Sequence, residues 1–358
     1  MALRTALCDR LGCSVPVIQT AMGWIATPDL VVATSEAGAF GFLAGAVMKP
    51  SELNAAIGEM RRRTRKPFGV NFHMFQPGAG DIVEIILANR EQVRAVSFGR
   101  GPDAKMIGRF KDAGILCVPT VGAVKHAKKM VELGVDMVTV QGGEGGGHTG
   151  SVPTTILLPQ VLDAVKVPVV AAGGFADGRG LAAALAYGAV GIAMGTRFLM
   201  TQESPVPDAT KARYTGASTD DIEVTDKVDG LPQRMIVNKM LRRIEMSGGL
   251  AQWLRAGRAA LRMKAQTGAS LSELMTMARG MTSHGGLSLA QAMTAATVPS
   301  LIQRAVVDGK PDEGLMATGQ VAGRLADLPS CADLIQSIVA EAQGRLAALA
   351  PLANAEAA

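Results

Sequence analysis

Short runs of branched and apolar residues recur along the first two hundred positions: VPVIQT (15–20), FGFLAG (40–45), PFGVNF (67–72), AVSF (95–98), LCVPTV (116–121), MVTVQG (137–142), PVVAAGG (168–174) and GIAMGT (191–196). Each run is too continuous for a strand with one face in water. Parallel strands covered on both faces read this way. Between the runs lie stretches such as SELNAAIGEMRRRT and VKHAKKMVELGV, apolar on one side at helical spacing. Strand and helix alternate through eight units, which predicts an α/β chain with a parallel sheet closed into a (β/α)8 barrel. An open Rossmann sheet would announce itself by GxGxxG at the first helix, and the chain has none there.

After residue 200 the rhythm changes. Residues 201–233 are polar, with Pro205 and Pro207; residues 234–300 read as helical, and strands are not expected to return. This predicts a barrel over 1–204, a helical cap inserted after strand eight over 205–300, and a segment 301–358 that packs back on the barrel. In the last of these, Ser330 caps a closing amphipathic helix.

Composition adds bounds. Hydrophobic residues are 48% and charged residues 19%, enough apolar material for a large core and too little charge for disorder. Aromatics at 4% argue against a nucleic-acid surface built on base stacking. Cys8, Cys13, Cys117 and Cys331 have neither CxxC nor zinc-like spacing, which points to reduced thiols and no metal. The opening MALRTALCDRLG has charges where a signal peptide needs an apolar run, and no apolar stretch is long enough to span a bilayer. A cytoplasmic protein that keeps off membranes is expected.

Chemistry in such a barrel belongs at the C-terminal ends of the strands. Strands seven and eight end in AAGGFADGRG and AMGTRF, glycine turns of the kind that hold a phosphate on bare N–H groups. Asn71 and His73 follow strand three. After strand six comes QGGEGGGHTGS (141–151), where His148 stands among six glycines. Glycine is costly to order. Glycines here would admit a flat ligand close to the backbone, and an imidazole is the best acid or base near neutrality. His284, in TSHGG, is a candidate for the entrance.

Together QTAMGW, FGVNF, GGEGGGHTG, AAGGFADGRG and MGTRFL resemble the nitronate monooxygenase family, which includes the FMN-dependent enoyl-acyl carrier protein reductases. The resemblance runs from about residue 4 to about 345 and implies a TIM barrel with bound FMN. It implies that Ala21, Met22, Asn71, Gln141 and Gly146 lie along the flavin. Gly173, Gly174, Gly195 and Thr196 would hold the phosphate, and His148 would act as the base. Nitronate oxidases commonly carry QGGMQW and CAGHPG where this chain has QTAMGW and GGGHTG. QGGEGGGHTG, VDGLPQR (228–234) and the late VDG…GQVAG…DLPSC are closer to the flavin-dependent branch acting on coenzyme A thioesters in bacterial steroid ring C and D degradation.

From Arg234 to Lys264 there are eight basic residues and one acid, Glu245. Arg234, Arg242 and Arg243 are candidates for the phosphates of coenzyme A, as arginine forms charge-assisted bonds to them; a solvated helix face is the alternative. The expected activity is an FMN-dependent oxidoreductase adding or removing hydrogen across the α,β carbons of a large acyl-CoA, with NAD(P)H as a candidate donor or NAD(P)+ as a candidate acceptor. Two alternatives stand beside it: oxidation of alkyl nitronates with oxygen, and a flavin-binding protein without turnover. The sequence is compatible with a homo-oligomer.

Overall fold

The structure is a computed structural model and describes residues 3–74, 76–98, 103–246 and 297–353. It divides into two compact units. The first comprises residues 1–145, 149–205 and 325–358; the second comprises 146–148 and 206–324.

All eight expected strands are present in the first unit. They are β1 (Val17–Gln19), β2 (Phe40–Leu43), β3 (Phe68–Asn71), β4 (Val93–Ser97), the pair β5 (Leu116–Cys117) and β6 (Thr120–Val121), β7 (Val138–Gln141), and two later ones. The short β8 (Gly147–His148) belongs to the second unit, so these two are β9 (Val169–Ala172) and β10 (Gly191–Met194). Every pairing is parallel, in the order β5-β4-β3-β2-β1-β10-β9-β7-β6. The two ends of that order are halves of one expected strand, LCVPTV, interrupted at Val118-Pro119. Proline has no N–H to give a ladder. The neighbours bridge the gap: Val118 N–H donates to Val96 O at 2.8 Å, and Thr139 N–H donates to Pro119 O at 2.8 Å. The ring therefore closes.

The strands are buried along their lengths, β1, β2, β9 and β10 at every residue. The barrel interior is filled by Ile18, Phe40, Phe42, Ala95, Val118, Met137, Val170, Ala172 and Ala193. Leu7, Cys8 and Leu11 of the helix Ala6–Leu11 join the same core. That helix plugs the N-terminal end, where Leu7 lies against Gly191, the first residue of β10. All four cysteines are free and buried.

At the chain's end, Ser330 Oγ accepts from Asp333 N–H at 3.1 Å and so caps the helix Cys331–Ala353, as its sequence leads one to expect. This helix packs on the helix Gly178–Tyr187. The guanidinium of Arg197, buried, meets Asp327 Oδ1 at 2.6 Å just before it. Among the described residues no helix is long and apolar enough to cross a membrane.

In the second unit the strands do return, contrary to the reading of 201–300. β11 (Ile222–Thr225) and β12 (Gln233–Ile236) pair antiparallel, and β12 also pairs antiparallel with β8. IEVT alternates apolar and polar only over four residues and QRMI does not alternate, so the signal is short and is lost among polar residues. Helices Asp208–Thr215, Lys239–Glu245 and Val298–Val306 and the 3-10 turns Thr219–Asp221 and Gln320–Arg324 are also described in this unit; the remainder of the expected helical stretch, 247–296, lies outside the described residues. Its core is Val228, Met235, Leu241, Ile244, Val298 and Leu315.

One packing element should dominate the stability of the β3 end. Phe72 is fully buried and meets Phe98 and Phe110 edge-on, with ring centroids 6.1 and 5.7 Å apart. Phe72→Ala should cost about 3–5 kcal/mol, the usual range for emptying an aromatic site. A urea titration followed by circular dichroism should show this as a lower midpoint.

Candidate functional site

Parallel pairing carries the strand ends to one rim. Neighbouring strands there run β3, β2, β1, β10, β9, β7. Asn71 ends β3, Ala21 and Met22 follow β1, and Gly195 and Thr196 follow β10. Gly173 and Gly174 follow β9, and Gln141 ends β7. Eight of the nine residues expected along a flavin therefore share one contiguous arc; Gly146 belongs to the second unit. The strand bodies below are buried, whereas these eight residues are partly or fully exposed.

Two glycine turns sit side by side on this arc. β9 and β10 pair with Ala172 opposite Ala193, which sets Gly173-Gly174 next to Gly195-Thr196. Gly173 and Gly174 have φ of +95° and +82°, which a side chain tolerates poorly. A Cβ on Gly195 would come 3.1 Å from Thr20 Oγ1 and 3.5 Å from Met22 Sδ, so its absence lets the β1 loop close over the β10 turn. One expectation needs correction. The helix after β9 begins at Gly178, but its first amides are not bare. Gly178 N–H donates to Glu341 Oε2 at 2.8 Å, and Gly180 N–H donates to Asp177 Oδ1 at 3.2 Å. Protein carboxylates occupy that helix start, because its positive end attracts any nearby anion. The strand-end glycines lie outside these bonds and remain the candidates.

The β1 loop holds a residue that sequence reading passed over. Trp24 has φ +62°, the one non-glycine residue with positive φ among those described. A bulky side chain in that region is a strained conformation. The loop is held by Ile25 and Ala26 N–H groups that both donate to Met22 O. No composition signal marks such strain.

The glycine-rich loop is packed closely at three of its glycines. A Cβ on Gly142 would lie 2.0 Å from Thr154 Oγ1, and one on Gly145 would lie 2.5 Å from the Gln141 side chain. In the second unit, one on Gly146 would lie 2.5 Å from the Thr318 carbonyl carbon. At these three glycines the place of a side chain is taken by protein atoms. Glu144 completes the fit: its carboxylate takes both the N–H (2.9 Å) and the hydroxyl (2.7 Å) of Thr154 at the start of the helix Thr154–Ala164. Gly147 is different, with φ +66° and nothing within 4 Å of an added Cβ.

Beside Gly147, His148 lies in β8 opposite Gln233 of β12. Its Nε2 is 2.7 Å from Asp229 Oδ2. The imidazole is 59% exposed while the Asp229 side chain is 13% exposed, so an open ring is fastened to a sheltered carboxylate. Gln233 Nε2 donates to the same Oδ2 at 2.6 Å, and Leu231 N–H donates to Oδ1 at 3.1 Å. Burial works to raise the Asp229 carboxyl, but the bonds from His148, Gln233 and Leu231 outweigh it and hold the group below the ordinary aspartate value. Asp229 and Gln233 both lie in VDGLPQR. They stand 81 and 85 residues from His148, so their partnership is invisible along the chain.

The other candidates are dispersed. His73 lies two residues past β3, its N–H donating to Gln76 Oε1 at 2.8 Å. Arg234 is in β12, paired by backbone with Gly147. Arg242 and Arg243 are exposed on Lys239–Glu245. The Arg242 guanidinium already meets Glu223 at 2.9 Å and Glu245 at 3.0 Å, two carboxylates that a coenzyme A phosphate would have to displace. His284 lies outside the described residues. Among those described, no group of three or more His, Cys, Asp and Glu is placed to hold a metal.

The family model for nitronate monooxygenase matches residues 4–341. The chain belongs to the nitronate monooxygenase family. It is therefore an oxidoreductase of a flavin-dependent kind. A protein of Rhodococcus jostii named (3aS,4S,5R,7aS)-5-hydroxy-7a-methyl-1-oxo-octahydro-1H-indene-4-carboxyl-CoA dehydrogenase is 48% identical over 98% of this chain and 99% of its own length. The protein of the same name from Mycobacterium tuberculosis is 49% identical over 96% of this chain and 97% of its own. Among solved structures, FabK from Thermotoga maritima superposes with a TM-score of 0.78 at 32% identity, covering 98% of this chain and 99% of the other.

The Asp229 geometry gives a pH test. A carboxyl held low in the folded state contributes stability in full above its unfolded value of about 3.9 and loses it as pH falls through the folded value. Melting temperatures of the protein and of Asp229→Asn should therefore differ most above about pH 5 and draw together only as pH falls below about 3.9 towards the lowered folded value. A gap that stays constant down to acid would mean the carboxylate's charge contributes nothing.

Proposed function

We propose that this protein is an FMN-dependent dehydrogenase of a bicyclic, steroid-derived acyl-CoA, removing hydrogen across the α,β carbons of the thioester. The observation that carries the reading is nearly half identity, end to end, with two proteins named as dehydrogenases of a hydroxylated indane carboxyl-CoA. The rim geometry supports it. Gly173, Gly174, Gly195 and Thr196 would take the FMN phosphate, and Ala21, Met22, Asn71 and Gln141 would line the ring. Nothing among these residues argues for the adenosine half of FAD. When bound, the flavin supplies the acceptor for a hydride from the β carbon.

The chain's own part is proton chemistry. A thioester acidifies its α C–H, and His148 is the group we assign to take that proton. An imidazole on an exposed β-strand end can reach a bulky substrate and can exchange the proton afterwards with water. Of the basic residues, Arg234 and Arg243 remain our candidates for the coenzyme A phosphates. Arg242 is a weaker one, since Glu223 and Glu245 already offset its charge.

The cofactor assignment predicts that denaturing the purified protein releases FMN. Release of FAD would overturn the reading of the two glycine turns. The substrate assignment predicts that anaerobic mixing with the hydroxylated indane carboxyl-CoA bleaches the flavin absorbance, while an alkyl nitronate does so far more slowly. The reverse order would make the protein a nitronate oxidase. His148→Ala should keep its flavin, since none of the rim residues changes, and should lose turnover by roughly 10²–10⁴, the usual contribution of a positioned base.

A further inference from the structure

Two groups of the second unit face His148 Nε2: the Asp229 carboxylate at 2.7 Å and the Gln233 amide nitrogen at 3.2 Å. They make opposite demands. A carboxylate can only accept, so it requires a proton on Nε2. An amide NH2 can only donate, so it asks for a lone pair there. The shorter contacts decide. Gln233 Nε2 lies 2.6 Å from Asp229 Oδ2, a bond to an ionised oxygen, and turning that amide over would set its oxygen against the carboxylate. The Gln233 NH2 is therefore committed to Asp229, and the imidazole answers to Asp229 as well.

The carboxylate itself has little freedom. Oδ2 takes His148 and Gln233, and Oδ1 takes Leu231 N–H. Gln233 is 2% exposed and stands directly across the β8–β12 ladder from His148, so strand pairing holds the amide in place. A neutral imidazole carries one N–H, and a carboxylate fixed at Nε2 leaves the lone pair on Nδ1.

We propose that Asp229, itself held by Gln233, is the positioning residue of His148: it fixes the Nε2–H tautomer, makes Nδ1 the atom that takes the substrate proton, and stabilises the imidazolium that results. This rests on the reading of His148 as the base. It adds which nitrogen works and which residues set it. Neither Asp229 nor Gln233 touches substrate in this assignment.

The test is nitrogen-15 NMR of the full-length flavoprotein, with the His148 ring signals identified by their loss in His148→Ala. The protein should show Nε2–H for His148, and Asp229→Ala should show a rise in the Nδ1–H form. With the hydroxylated indane carboxyl-CoA as substrate, Asp229→Ala should lower kcat about 10- to 100-fold, part of the roughly 10²–10⁴ a positioned base supplies, with KM changed less than about threefold. Gln233→Leu should move both readouts the same way by less. If Asp229→Ala does not fold, Asp229→Asn, nearly the same shape without the charge, serves for the same spectra. An Nδ1–H tautomer in the unaltered protein, or ring signals unchanged on removing Asp229, overturns the positioning role even where His148→Ala abolishes turnover. The base reading fails separately, through turnover that survives His148→Ala, and the kinetic half of this proposal would fail with it.

Discussion

A barrel of parallel strands exists only if its last strand bonds to its first. Here β10 pairs directly with β1, and the ring must also be carried through the strand broken at Val118-Pro119 into β5 and β6. Bonds from Val118 to Val96 and from Thr139 to Pro119 carry the ladder across a residue that cannot donate. Everything at the rim follows from this. Closure and parallel pairing place Asn71, Met22, Gly195, Gly174 and Gln141 on neighbouring strand ends, and burial of the strands below leaves those ends as the surface a ligand can use.

Charged groups at the rim are largely spent on the fold itself. Glu144 caps the helix starting at Thr154, and Glu341 and Asp177 cap the one starting at Gly178. Two helix N-termini that could attract a phosphate are thereby neutralised within the protein. An anion would then have only the strand-end glycines of β9 and β10 among the proposed phosphate contacts. Close packing explains the density of glycine in 142–147: a loop that lies against Thr154, the Gln141 side chain and, in the second unit, Thr318 has no space for Cβ atoms. The histidine is spared because β8 carries it to the surface, with its ring largely in water.

The second unit turns a surface imidazole into an oriented one. On its own an exposed histidine samples both tautomers and many rotamers. Strand pairing with β12 brings Gln233 opposite it, and the turn that begins VDGLPQR presents Asp229 to the ring. The carboxylate stays ionised because three donors offset the cost of sheltering it.

By itself the sequence determined the barrel. Strands buried on both faces must be apolar throughout, and eight such runs alternating with amphipathic helices admit few other arrangements. It also marked the strand-end residues and His148, since chemistry-bearing types stand out against apolar runs. It marked β11 and β12 only faintly, with alternation short in IEVT and absent in QRMI, and the strain at Trp24 not at all. It did not show that protein atoms stand beside Gly142, Gly145 and Gly146, because a missing side chain looks the same in sequence whatever lies next to it. Only the tertiary structure decided that Asp229 and Gln233 belong to His148, for a hydrogen bond across some 80 residues depends on where the chain returns, and no local pattern records that.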